Sequence, residues 1–218
     1  AQLSDGTSVC FFAEEMESIY ATANVCRLTW TNGWVVPELG GIFPVPVNGG
    51  SFADTLHIEQ DHFALLAVEQ DAESDYWYWE YLVGGDPELG SSDYDLDPPG
   101  LAEDDGPAQL VVHLMGGTVT GVTNEHHVTV ALNGTIVGEA AWTGLARFDL
   151  TNTFSASLLN EENTVTVTAL LDGGAPWNLV YVNSMDLVYQ REFKAVDDQL
   201  ILRGDSNRVV SAFDFSTP

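Results

Sequence analysis

Along most of this chain apolar and polar residues alternate in short runs, and turn residues divide the runs at even spacing. A period of two marks strands with one buried and one solvated face. The clearest case runs from Asn124 to Trp142. His127 to Leu132 alternate, Asn133-Gly134 is the pair a tight type I′ turn prefers, and Thr135 to Val137 begin the return strand. Both central residues of that turn need positive φ, which Asn and Gly tolerate best. The same pattern predicts strands at 108–115, 126–132, 135–141, 146–151, 163–170 and 180–189, with a short helix or turn over 154–159. Gly116-Gly117 and Asp172-Gly173-Gly174 punctuate the series. Such spacing predicts an all-β fold, a two-sheet antiparallel β-sandwich of jelly-roll-like form.

Upstream the alternation is weaker. Strands are expected at 7–13 and 23–31, followed by a Pro- and Gly-rich connector over 37–51. Residues 55–68 read as one strand, with His57, Glu59 and Asp61 on a polar face. Asp75-Tyr-Trp-Tyr-Trp-Glu-Tyr81 reads as a strand with Trp77, Trp79 and Tyr81 on one side. Residues 84–107 form a long loop, and two closing strands lie at 199–202 and 209–213. The expected domains are 1–50, a strand pair and connector; 51–192, the sandwich; and 193–218, the closing strands. With 218 residues the chain can bury a sizeable core.

Charge changes the picture most. Thirty-three acids against six bases leave a net charge of −27. Such a surface repels nucleic acid and anionic lipid, so both are rejected as partners. No apolar run reaches the roughly 20 residues of a membrane span. The long loop concentrates eight acids, and Asp93-x-Asp95-x-Asp97 with Asp104 is similar to the opening of a calcium loop. Pro98 stands where an EF-hand needs Gly, so any Ca²⁺ site there is irregular. Calcium is the cofactor these residues would take.

Two cysteines, Cys10 and Cys26, enclose 15 residues. Outside the cytoplasm such a pair is often bridged, and two buried thiols are the other reading. Trp77, Trp79, Tyr81 and Trp142 are the candidate ligand-binding residues, since flat rings suit sugar faces. Asn133-Gly-Thr135 spells a glycosylation sequon, but the turn already explains its Asn-Gly.

The order of motifs resembles a region of secreted bacterial proteins of the gingipain-type cysteine peptidase family. The resemblance rests on Tyr20-Ala-Thr-Ala-Asn24-Val25-Cys26-Arg-Leu28, Asp75-Tyr-Trp-Tyr-Trp79 and Leu110-Val-Val-His-Leu-Met-Gly116-Gly117. It continues through Asn133-Gly134, Gly138-x-x-x-Trp142-x-Gly144, Leu159-Asn-Glu-Glu-Asn163 and Val182-Asn-Ser-Met-Asp-Leu-Val-Tyr189. It implies the non-catalytic β-sandwich N-terminal to the peptidase domain, secreted or at the bacterial cell surface. In that reading residues 193–218 lead towards a C-terminal peptidase-like domain of the same polypeptide, which is the expected partner. Cys26 departs from the family pattern, which has an aromatic there, and this favours a local disulfide with Cys10. No residue matches the family's catalytic His or Cys, so the chain is expected not to be an enzyme. The alternative is a carbohydrate-binding module, with polysaccharide as the partner and a calcium ion bracing the site.

Overall fold

The computed structural model describes residues 2–4, 9–11, 50–65, 76–103, 106–202 and 212–216. The chain separates into two compact units, Ala1–Pro44 and Val45–Pro218. In the first, β1 (Gln2–Ser4) pairs antiparallel with β2 (Val9–Phe11). β2 falls inside the strand expected at 7–13, and β1 was not foreseen. Cys26, the 23–31 strand and nearly all of the 37–51 connector lie outside the described residues, as does the side chain of Cys10.

The second unit is a sandwich of two antiparallel sheets. Its strands are β3 (Ser51–Glu59), β4 (Phe63–Ala64), β5 (Trp77–Tyr78), β6 (Glu80–Val83), β7 (Ser91–Asp95), β8 (Pro107–Gly116) and β9 (His126–Leu132). They continue with β10 (Thr135–Trp142), β11 (Arg147–Ser155), β12 (Thr164–Leu170) and β13 (Leu179–Glu192). One sheet runs β10-β9-β12-β7. The other runs β11-β8-β13-β3, with β6 pairing β13 beyond the end of β3. Numbered among the eight sandwich strands alone, these orders are 5-4-7-2 and 6-3-8-1. Successive strands pass back and forth between the sheets in the jelly-roll manner.

Alternation puts the core between the sheets. Leu110, Val112 and Leu114 of β8 meet Val128, Val130 and Leu132 of β9, with Val165 and Val167 of β12 and Val180, Val182, Met185 and Leu187 of β13. The pairing of β13 with β8 shifts between Val182 and Met185, and Ser184 and Met185 are both buried there. The extra residue of a bulge keeps the apolar side chains inward on both sides of the irregularity. The β9–β10 turn has φ of 50° at Asn133 and 80° at Gly134, as the type I′ reading requires. The expected helix or turn over 154–159 is a single 3-10 turn, Ala156–Leu158.

Three expectations need correction. The strand expected over 55–68 stops at Glu59, because the chain leaves β13 and β4 pairs with β5 instead. The loop over 84–107 contains β7, whose Tyr94 is buried and is followed by buried Leu96, while Asp93, Asp95 and Asp97 face solvent. β7 is an edge strand, and outward charges on an edge discourage pairing with another chain. Residues 199–202 form no strand; Gln199 bridges Val196 across a turn, and Phe213 bridges Lys194.

Candidate functional site

The antiparallel topology gathers four loops at one end of the sandwich: 84–90, 117–125, 143–146 and 171–178. These loops are tied to one another by buried polar groups. Asn178, fully buried, donates to the carbonyls of His127 and Leu170. Its Oδ1 therefore faces the Nδ1–H of buried His126 at 2.8 Å. The amide of Gly84 donates to the Asn178 carbonyl at 2.7 Å, joining the first loop to the last. Glu125, 2% exposed, accepts from the amides of Thr120 and Gly144, and Asn124 donates its amide to the Thr143 hydroxyl. Burial pushes the Glu125 carboxyl up, but those hydrogen bonds and the neighbouring His126 hold it below its ordinary 4.5. Within the first loop, Asp86 caps the amides of Glu88 and Leu89, which holds its carboxyl low.

The backbone packs closely here. A Cβ on Gly116 would lie 2.2 Å from the Gly144 carbonyl oxygen and 2.5 Å from Nε2 of His126, so only Gly fits beneath the 143–146 loop. One on Gly85 would lie 3.1 Å from the Leu171 side chain.

On this tied framework stand Leu89, Val119, Leu145, Leu171 and Trp177, each between 42% and 66% exposed. The four loops carry Asp86, Glu88, Glu125 and Asp172 and no Lys or Arg. The end thus combines exposed apolar side chains with an acidic rim of Asp86, Glu88 and Asp172, Glu125 being buried, on loops tied together by hydrogen bonds. Single exposed apolar residues are ordinary; several on adjacent, cross-tied loops mark an interaction surface. Sequence reasoning missed it because its residues come from four loops far apart along the chain.

The residues singled out from sequence are mostly placed elsewhere. Trp142 is 6% exposed, stacks on Phe148 at 4.9 Å and lies 5.1 Å from the ring of His126, so it is a core residue and offers no outer face. A bend at Trp79 interrupts the aromatic strand. Trp79 consequently packs against the core and Tyr94 while staying partly exposed, as Tyr81 does on the Phe63 side, and Trp77 is exposed. The single face expected for Trp77, Trp79 and Tyr81 does not form, since one irregular residue reverses the alternation. Tyr81 packs edge-on against Phe63 and lies opposite Tyr181 in register.

The acids of β7 do not gather either. Asp93 accepts from the Thr166 hydroxyl at 2.6 Å and Asp97 from the Asn163 amide at 3.2 Å, while Asp104 lies outside the described residues. Among the described residues no group of three His, Cys, Asp or Glu side chains is arranged to hold a metal ion. Alternate residues on a strand stand about 7 Å apart, too far to close on one ion unaided. Asp93, Asp95 and Asp97 as found do not fit a calcium site. Asn133, the sequon residue, spends its Nδ2 on the Leu158 carbonyl and Asn163, and its Oδ1 on the Thr164 amide.

No protein-family model and no curated protein matches the sequence. Among solved structures, the fold is similar to the crystal structure of dimeric latent PorU from Porphyromonas gingivalis. The TM-score is 0.56 at 12% identity, over 77% of this chain. The matched region is 15% of the PorU chain, so this chain spans a small part of that protein's length. Weaker likenesses include the carbohydrate-binding module CBM36 in complex with calcium and xylotriose, at TM-score 0.33 and 15% identity over 44% of this chain and 71% of that one. A family 35 carbohydrate-binding module from Clostridium thermocellum follows at 0.30 and 15% identity, over 64% and 97% of the two chains. Likeness at that level says nothing about what this chain binds. No helix among the described residues is long and apolar enough to cross a membrane.

Proposed function

We propose that this chain is a non-catalytic β-sandwich domain of a secreted, gingipain-like protein, and that it packs its loop end against an adjacent cysteine peptidase domain of the same polypeptide. The observation that carries this reading is the loop end itself, with five large apolar side chains exposed on four loops that buried Glu125, His126 and Asn178 lock together. A preorganised apolar surface associates with little further loss of conformational entropy, so its burial contributes most of its value to affinity. The acidic rim selects a partner face with an apolar centre and basic surroundings. The PorU-like fold supports the gingipain-type setting.

The histidines support a non-catalytic role. His57, His113 and His127 each have both ring nitrogens on carboxylates. His126 is fully buried between Asn178 and the Gly144 carbonyl. Among the described residues, the hydrogen bonds of these four rings go to carboxylates, Asn178 and the Gly144 carbonyl and none to a Ser or Cys nucleophile, the arrangement acyl transfer needs. The domain acts by covering a surface and thereby presenting or restraining its neighbour.

Titration calorimetry of the chain against the separately produced peptidase domain tests this. Association with a Kd of roughly micromolar, about −8 kcal/mol, is expected, together with a change in peptidase activity. Neither heat nor a change in activity at concentrations well above that would end the proposal.

A further inference from the structure

We propose that the clasped histidines form a proton-operated lock, which ties the outer faces of both sheets in mildly acidic solution and loosens as the solution turns alkaline. On the β11-β8-β13-β3 sheet, five side chains from four adjacent strands form one row. Glu59 Oε2 meets His57 Nε2 at 2.9 Å, and His57 Nδ1 meets Asp186 Oδ1 at 2.7 Å. Asp186 Oδ2 then meets His113 Nε2 at 2.9 Å, and His113 Nδ1 meets Asp149 Oδ1 at 2.8 Å. Strand register builds the row, since Asp186 lies opposite His57 and His113 opposite Asp149. On the other sheet His127 sits between Asp172 at 2.7 Å and Glu139 at 2.8 Å.

Each ring therefore has a carboxylate oxygen on both nitrogens. A neutral imidazole has one N–H and one lone pair, so only the imidazolium can donate both bonds. Losing that proton turns one attraction into lone-pair repulsion. The loss falls on a chain already at −27 with His counted neutral. Among the described residues the Lys and Arg are Arg147, Arg191 and Lys194, so the three protonated histidines double the cations there.

Among the described residues, other charged or titratable groups line the same grooves as the row. Arg147 and Tyr78 line the polar pocket that holds Glu59, His113, Asp149 and Asn183. Asp93 and Asp95 of β7 share a groove with His57 and Glu59. Apart from Arg147 these groups are acids or a tyrosine, and the acids favour imidazolium.

Burial works against the charge on His57 and His113, yet the flanking carboxylates outweigh it and hold both above the ordinary 6.5. For His127 the Asp172 bond dominates and acts the same way. Burial raises Asp186, but its two histidine bonds carry it below 3.8. The histidine contribution is therefore complete below pH 6.5 and is lost as pH rises through the raised folded-state values. The Asp186 contribution is present above pH 3.8 and is lost as pH falls through its lowered value. The lock is closed between those limits.

Thermal melting of the whole chain between pH 5 and 9 tests the lock, with wild type beside the triple variant His57→Gln, His113→Gln, His127→Gln. The wild-type midpoint should fall by about 3 to 6 °C from pH 5.5 to 8.5, a span in which carboxylates stay ionised. The triple variant should lose most of that slope. A variant that keeps the wild-type slope, or a flat wild-type profile, overturns the proposal. Imidazole proton resonances of the wild type give a second reading that needs no variant. All three clasped rings should titrate above pH 6.5, and titration at or below that value overturns the lock.

Discussion

The two ends of the sandwich are built by the same device and finished differently. At the loop end Asn178 threads four backbone and side-chain groups together. At the hairpin end Asn163, also buried, donates to the carbonyls of Leu96 and Asn160 and accepts from Asn133 and the Asn160 amide. Both ends are thus held by asparagines that satisfy loop backbone groups a sheet leaves over. The apolar residues set them apart. The hairpin end buries Leu96 and Leu159 but exposes Ile136 beside the turn and Val196, Ile201 and Leu202 after β13, whereas the loop end exposes Leu89, Val119, Leu145, Leu171 and Trp177 on four cross-tied loops. Both ends have buried polar ties and exposed apolar side chains, and at the loop end the exposed residues stand on the tied loops themselves. Order in a loop therefore does not identify a binding surface; order combined with exposed apolar area does.

The largest effects should separate the ends by their glycines. Gly116→Ala drives a methyl into the Gly144 carbonyl and His126, and should cost about 3 kcal/mol or more by urea denaturation. Gly134→Ala at the hairpin has φ of 80° and nothing within 4 Å of the new methyl, so strain alone remains, about 1 kcal/mol. Equal losses would mean the loop end yields to the intruding methyl and is not rigid.

The asparagines come next. Asn178→Ala strands the carbonyls of Leu170 and His127 and the ring of His126, and Asn163→Ala strands those of Leu96 and Asn160. Each should lose about 2 to 3 kcal/mol in the same denaturation experiment. Only Asn178→Ala should also weaken association with the peptidase domain; equal weakening by Asn163→Ala would break the assignment of binding to one end.

The smallest effect on stability should accompany the sharpest effect on binding. Leu171→Asp with Trp177→Ser changes exposed side chains and should move the midpoint by less than about 0.5 kcal/mol. Association should fall at least about tenfold, through lost apolar contact and the cost of desolvating a carboxylate against the partner's apolar centre. Unchanged affinity in the calorimeter would place the interface elsewhere on the sandwich.

Much of the fold was legible because the strands from 108 to 189 carry clean alternation, and Asn133-Gly134 can hardly be read as anything but a hairpin. β7 was misread for a physical reason: Asp93, Asp95 and Asp97 look like a ligand loop until Tyr94 and Leu96 are seen to face the core. The aromatic run failed similarly, since no local pattern announces a bend at Trp79. The candidate site was hardly legible at all. Leu89, Val119, Leu145, Leu171 and Trp177 are ordinary loop residues until the topology brings their loops to one end.

The sequence by itself determined the strands from 108 to 189, the hairpin and the acidic composition. These follow from local geometry, in which a strand's side chains alternate and a type I′ turn demands Asn-Gly. The tertiary structure alone decided which loops share an end, which tryptophans are core, and which histidines meet carboxylates on neighbouring strands. Those pairings join residues as far apart as His57 and Asp186, 129 positions along the chain. Strand order sets such distances, and strand order comes from burying both sheets together rather than from any local run of residues.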